Sequence, residues 1–375
     1  MAVYGEPISV KVIRSPDGVI TAKAWGHSRP NEDIIDLMDV LKVDVPVNEL
    51  EDFILEIRCP IIIREMFFTI RDHVAWARTS RVDNLNDWPV HPLWQDEQLV
   101  IKAHAQMLEA RLSGLQDHFR LLLPLCYITG FTIKLSARTL MRFCAALDRL
   151  ASSMSQLESS PFWEMSRELK RAIDYTPYGK LKIDHYGAME LLPKYTHASN
   201  GGFSGHFVIV DVPQVPIALR AQVTRHRPVL MFDTLHRYLN YYDMCKPINS
   251  LVDMQLMMTR EVAFSMVRKR NCWIAQEDLW SPIIQRLNTL FETEYEQVGV
   301  PLPCDTCISC PVGRDNMLRQ EGKDPAPPCP IWLSQEGIEP SAEQRVEILR
   351  YMQHRPITNH FWQQAYLQYT PDQGA

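Results

Sequence analysis

Apolar and polar side chains alternate from the start of the chain. Ile8-Ser-Val-Lys-Val-Ile13 reads as a strand, Pro16-Asp-Gly18 interrupts it, and Val19-Ile-Thr-Ala resumes it, the pattern of a hairpin. Residues 47–59 lead as a capped helix or a strand into Ile54-Leu-Glu-Ile57, and Cys59-Pro-Ile-Ile-Ile63 opens another apolar segment. The period then lengthens. Leu99, Ala103, Met107, Ala110 and Leu115 predict a helix over 97–125, Ser136 caps a second that carries Leu140, Phe143, Ala146 and Leu150 inward, and residues 161–175 form a third. Prolines and glycines from Tyr175 to Gly205 read as a linker before the strand Phe207–Val212. Val215-Pro-Ile-Ala-Leu219 reads as an apolar strand, and 249–270 and 279–295 as helices, with Met254, Met257, Met258 and Met266 packing into the core from a helix face. Ser341–Gln353 gives a last helix before a loose tail.

Two stretches repeat one another. Pro60-Ile-Ile-Ile-Arg64, followed by Arg71 and Arg81, has the spacing of Pro216-Ile-Ala-Leu-Arg220, followed by Arg227 and Arg237, because 216 − 60, 220 − 64, 227 − 71 and 237 − 81 are all 156. Four positions in register around a shared apolar run predict two related modules.

Composition narrows the class. The chain has 375 residues, 46% of them hydrophobic and 22% charged, with a net charge of −6, which fits a soluble globular protein of two or three domains and gives no indication of nucleic-acid binding. No apolar run approaches the roughly 20 residues that span a bilayer, and no signal peptide is visible; the expected compartment is the cytoplasm. Among nine cysteines, Cys59, Cys126, Cys144, Cys245 and Cys272 are scattered among apolar residues and read as inert core thiols. Cys304, Cys307, Cys310 and Cys329-Pro330 are clustered. Four such thiolates suit structural zinc, and the repeated two-residue gaps with a remote Cys-Pro also suit an iron–sulfur cluster. His104, His118, His185, His197 and His206 have no ligand-like spacing.

The densest candidate chemistry is Gln222-Val-Thr-Arg225-His226-Arg227 with Arg237-Tyr238 beyond it. Two guanidiniums bracketing an imidazole offer forked, permanently charged donors to a phosphate or a polyanionic cofactor. This stretch resembles the signature of flavin-dependent thymidylate synthases: Arg-His-Arg, seven residues, serine, one residue, then Arg-Tyr. Here Leu235 stands at the serine position, followed by His236, Arg237 and Tyr238. Other pieces are similar to the same family. Arg120-Leu-Leu-Leu123-Pro124, Thr129-Gly-Phe131 and Ser136-Ala137-Arg138 resemble its Arg-x-x-Leu-Pro, Thr-x-Phe and Asn-Ala-Arg elements, and Arg270-Asn-Cys-Trp-Ile274-Ala275-Gln276 its Arg-x-x-x-His-Ala-Gln.

The resemblance spans residues 50–290 and implies a mixed α and β fold of the α+β type, in two tandem modules with a Cys-rich C-terminal extension. The expected organisation is an N-terminal hairpin region at 1–46, module one at 47–175, a linker at 176–205, module two at 206–298 and the extension at 299–375. Module one carries Thr69-Ile-Arg71 where the signature belongs, and module two, with 22 residues between Arg237 and Arg260, has no room for a Leu-Pro element. The resemblance implies FAD held by Arg225, His226, Arg227 and Gln276, and a pyrimidine deoxynucleotide monophosphate held by Gln222, Arg237, Arg120 and Arg270. It implies C5 alkylation with a reduced folate as one-carbon donor, in a homodimer that mimics a four-module assembly. The other reading is a noncatalytic nucleotide- or flavin-binding assembly protein of the same descent.

Overall fold

The computed structural model describes residues 3–17, 19, 50–70, 73–77, 88–112, 121–180, 189–192, 201–224, 229–270 and 277–291. The chain divides into two compact units. The first comprises Met1–Ala105, Leu123–Lys194 and Asp233–Ile248; the second comprises Gln106–Leu122, Tyr195–Phe232 and Asn249–Ala375. The mixed α and β class expected from the sequence is the one observed.

In chain order the first part runs β1 (Val3–Gly5), β2 (Ser9–Arg14), β3 (Asp52–Pro60), α1 (Ile61–Thr69), β4 (His73–Ala77), β5 (Trp88–Val90), α2 (Gln98–Leu112), β6 (Ile128–Ser136), α3 (Ala137–Ser152) and α4 (Gln156–Asp174). Its sheet has the order β2-β3-β6-β4, beside a parallel pair β1-β5. β2 pairs antiparallel with β3; the continuation of the expected hairpin falls outside the described residues. One face of the sheet carries Phe53, Leu55, Ile57, Phe131, Ile133 and Leu135, all buried, as are Leu140, Phe143 and Leu147 of α3 and Phe162, Met165 and Leu169 of α4. Full burial of such a side chain is worth about 1.5–3 kcal/mol.

The second part runs β7 (Gly202–Ser204), β8 (Phe207–Pro216), α5 (Ile217–Val223), β9 (Leu230–Asp233), β10 (Leu251–Thr259), α6 (Arg260–Arg270) and α7 (Glu277–Leu290), with sheet order β7-β8-β10-β9. The two sheets therefore share one plan: an edge strand, a strand ending in proline, a short helix, the other edge strand, then a central strand feeding a long helix. The correspondence reaches single bonds. Ile61 N–H donates to Tyr127 O at 3.0 Å and Ile217 N–H to Ser250 O at 2.9 Å. The first residues are 156 apart, as the sequence repeat requires, and the second are 123 apart (250 − 127), the same shift that relates Ile128 opposite Pro60 to Leu251 opposite Pro216. The registers part at a bulge between Val252 and Met254. There Gln214 takes a positive φ of 55°, and its backbone N–H and its Nε2–H both donate to Asp253 Oδ1 at 3.1 Å, replacing the ladder bonds that a bulge breaks.

Three sequence expectations change. Pro216-Ile-Ala-Leu starts α5 rather than continuing a strand, as Pro60-Ile-Ile-Ile starts α1. Neither proline caps its helix with a side chain; the first free N–H groups are satisfied by carbonyls of the segment preceding the central strand, so the usual start signal is absent. Residues 251–259 form β10 rather than helix: Val252, Met254, Leu256 and Met258 are buried at period two, and pairing with β8 overrides the helical preference of Met, Leu and Gln. The predicted helix over 97–125 holds as far as Leu112. At its far end, Pro124 faces Pro247 in an antiparallel bridge.

That bridge extends the repeat, because Pro247 is the counterpart of Pro124 at the 123-residue shift, although Asp243 and Lys246 stand where the first half has Arg120 and Leu123. Leu125 N–H donates to Lys246 O (2.9 Å) and Ile248 N–H to Leu123 O (2.8 Å), and the shift carries each bond onto the other. Prolines at the centre cost no bond, since facing residues of a non-hydrogen-bonded pair direct no N–H at each other.

Candidate functional site

α5 buries Ile217, Leu219, Val223 and Arg220 and ends at Thr224, whose N–H donates to Arg220 O at 3.0 Å. Gln222 is half-buried on this helix. Arg225, His226 and Arg227 follow directly but lie outside the described residues, as do Arg120, Gln276 and the cysteines Cys304, Cys307, Cys310 and Cys329. Arg270 closes α6, and its side chain is also outside the described set. Gln222 belongs to the second unit and Arg237 to the first.

Arg237 sits on a 3-10 turn, Leu235–Tyr238. Asp233 Oδ1 accepts the Leu235 N–H at 2.8 Å, and Arg237 N–H donates to Thr234 O at 3.0 Å; Asp233 and Thr234 are both buried. Leu235, at the expected serine position, is 0% exposed, so this position faces the core. Arg237 is exposed. His236, which the sequence reading passed over, is half-buried, and its Nδ1 is inaccessible with no hydrogen-bond partner among the described residues.

The chain beyond the turn is tied down. Trp94, fully buried, donates its Nε1–H to Tyr241 O at 3.1 Å, Tyr241 OH donates to Leu93 O at 3.3 Å, and Tyr241 N–H reaches Glu158 Oε1 at 3.4 Å. Burial, with Glu97 adding to it, pushes the Tyr241 phenol up to about 12, so it remains a neutral donor. Lys246 lies 5.7 Å over the Tyr238 ring and pairs with Asp243, whose carboxylate raises the lysine above its ordinary value.

The corresponding place in the first unit is built differently. α1 continues to Thr69, which stands 156 before Arg225, whereas α5 stops at Val223, the counterpart of Phe67. Where α5 has Ala221 and Gln222, α1 has Glu65 and Met66, both 0% exposed. Glu65 Oε1 accepts from Arg64 Nη2 at 2.7 Å and Nε at 3.1 Å, consuming the guanidinium fork. Phe67 stacks on Phe143 at 4.0 Å and meets Phe131 edge-on at 5.5 Å, and Phe68 meets Phe131 at 5.4 Å. The Thr69 hydroxyl bonds the Glu65 carbonyl at 2.8 Å. Aromatic packing and the Arg64–Glu65 ion pair occupy the positions that answer Arg220 to Thr224 in the second half.

Among the described residues no group of three or more His, Cys, Asp or Glu side chains could hold a metal ion, and no helix is long and apolar enough to cross a membrane. No protein-family model matches the chain, and no curated protein matches it. Solved structures of a UMP/dUMP methylase PolB from Streptomyces cacaoi are similar over half of it. The form bound with 5-Br UMP aligns at 13% identity and a TM-score of 0.38, covering 49% of this chain and 94% of that one. The form bound with 5-Br dUMP aligns at 15% and 0.38, covering 49% and 95%.

Proposed function

We propose that this chain is a flavin-dependent enzyme that alkylates C5 of a pyrimidine deoxynucleotide monophosphate, with a reduced folate as one-carbon donor. The observation that carries the reading is the signature Arg225-His226-Arg227, seven residues, then Leu235-His236-Arg237-Tyr238, with Arg237 exposed on an anchored turn. By donor chemistry, two forked cations and an imidazole fit the pyrophosphate of FAD, and Gln222 precedes them with no side-chain partner among the described residues. When bound, reduced FAD would supply the hydride. The residues named here bind and orient; Arg237 would take the dianionic phosphate, and the buried Leu235 leaves the base without a hydroxyl at that position. The same residues would serve a noncatalytic nucleotide-binding descendant. The four clustered cysteines would hold zinc or an iron–sulfur cluster as a separate element.

The test uses the full chain. Flavin absorbance after purification or FAD addition, metal and sulfide analysis of the same preparation, and dUMP titration by calorimetry come first. Tritium release from C5-labelled dUMP with methylene-tetrahydrofolate and a reductant then separates enzyme from binder. Arg237→Ala is expected to weaken dUMP about 10- to 100-fold, the range for a hydrogen bond to a charged group. A protein that takes up neither FAD nor dUMP ends the reading.

A further inference from the structure

Two cysteines far apart in the chain stand side by side in the first unit. Cys126 and Cys245 are buried free thiols, and the antiparallel bridge between Pro124 and Pro247 brings them together. One lies two residues beyond Pro124 and the other two before Pro247. Between them Leu125 N–H donates to Lys246 O and Cys126 N–H to Met244 O, both at 2.9 Å. The two thiols share a hydrogen bond, and the Cys245 thiol also reaches Tyr241 O at 3.6 Å. Burial first, then the neighbouring Cys245 thiol, holds the Cys126 thiol above its ordinary value. Burial raises Cys59 and Cys144 as well, but no second cysteine contributes to either.

Buried single thiols are common packing residues, so the place of this pair is what matters. Cys245 closes the 3-10 turn Asp243–Cys245, and Tyr242 and Lys246 on either side of that turn are exposed. A small opening of the turn therefore brings one sulfur to solvent while the other stays in the core. A bond between the two would close a loop of 119 residues (245 − 126), and a cross-link over a long loop restricts the unfolded chain strongly.

We propose that Cys126 and Cys245 are a redox clasp, a reversible disulfide that fastens the segment after Arg237 to the segment ahead of β6. The oxidant is a low-molecular-weight disulfide. The Cys245 thiolate, reached as the turn opens, attacks one of its sulfurs and expels one thiolate. The Cys126 thiolate then attacks Cys245 Sγ in the mixed disulfide and expels the second. Two protein thiols are oxidised, the external disulfide is reduced to two thiols, and the two cysteine protons pass to the leaving thiolates. The clasp does not depend on the nucleotide chemistry proposed above.

The test treats the full, folded chain with glutathione disulfide and digests it with trypsin in the absence of reductant. Because trypsin does not cut at Lys246-Pro247, the expected product is peptide 121–134 joined to peptide 238–260, each of which holds a single cysteine. The melting temperature of the oxidised chain should rise by at least about 4 °C and return to its starting value with dithiothreitol. Cys245→Ala should lack the joined peptide and most of the rise, which separates the clasp from oxidation of the other cysteines. If that variant does not fold, the peptide map and the melting temperature of the wild type decide alone. Cys126 and Cys245 recovered as free thiols or as separate glutathione adducts would overturn the proposal, as would a joined peptide with no rise in melting temperature.

Discussion

At the scale of single residues, burial decides what each ionisable side chain can do. Glu65 is 0% exposed and serves Arg64, so Glu65→Ala strands a nearly buried guanidinium and is expected to cost about 3–5 kcal/mol in urea unfolding. Arg64→Met with Glu65→Leu should recover most of that loss; if the double variant is no better than the single one, the pair is not what holds α1. Glu164 sets a pH response. Burial raises its carboxyl, but the 2.9 Å bond from His91 Nε2 and the 2.8 Å bond from Ile8 N–H outweigh it, and the group titrates below its ordinary 4.5. The unfolded chain then takes up the proton more readily than the folded one. The contribution is complete above 4.5 and disappears as pH falls through the lower folded value. Glu164→Gln should be less stable at neutral pH yet lose less as pH falls below 4.5, read as the pH dependence of the urea midpoint. An unchanged slope in that window would assign the acid limb to other groups. These roles were not legible in the sequence, where Glu65 and Glu164 look like ordinary surface residues of amphipathic helices; only the fold shows how far inside each of them lies.

At the scale of elements, the sequence was legible wherever local chemistry signs the boundary. Ser136 was readable as a cap because its Oγ accepts the Thr139 N–H, at 3.2 Å, and Thr259 does the same for Val262 at 3.4 Å in the helix that answers it. Ser136→Ala is expected to cost about 1 kcal/mol; Thr259→Ala, with the longer bond, should cost less, and equal losses in thermal unfolding would mean that cap geometry is not the determinant. Where the signal is supplied from elsewhere in the chain, the reading failed. α1 and α5 start at prolines whose following N–H groups find distant carbonyls, and β10 is a strand because β8 lies beside it, although Met257, Met258 and Leu256 favour helix on their own. The repeat was legible as four aligned positions, but the full extent of it, down to Pro247 answering Pro124, needed the pairing of the backbone.

At the scale of the molecule, each unit draws on sequence from both halves: Asp233–Ile248 belongs with the first unit and Gln106–Leu122 with the second. A fragment comprising residues 1–194 therefore lacks Tyr241, on which Trp94 bonds, and Met244 and Lys246, which pair with Cys126 and Leu125. Such a fragment is expected to melt without cooperativity, or well below the intact chain, by circular dichroism, and to regain a sharp transition when residues 195–375 are supplied. A fragment that melts as sharply and as high by itself would show that the borrowed segment is dispensable. The arginine signature, by contrast, is confined to one half: the first half has Thr69-Ile-Arg71 at its place, preceded by the buried Met66, Phe67 and Phe68 where the second has Gln222, Val223 and Thr224. A duplicated chain would ordinarily saturate at two equivalents of ligand. With one of its paired positions turned into core, this chain should saturate at a single equivalent of nucleotide, with a hyperbolic isotherm and no cooperativity between sites within one molecule.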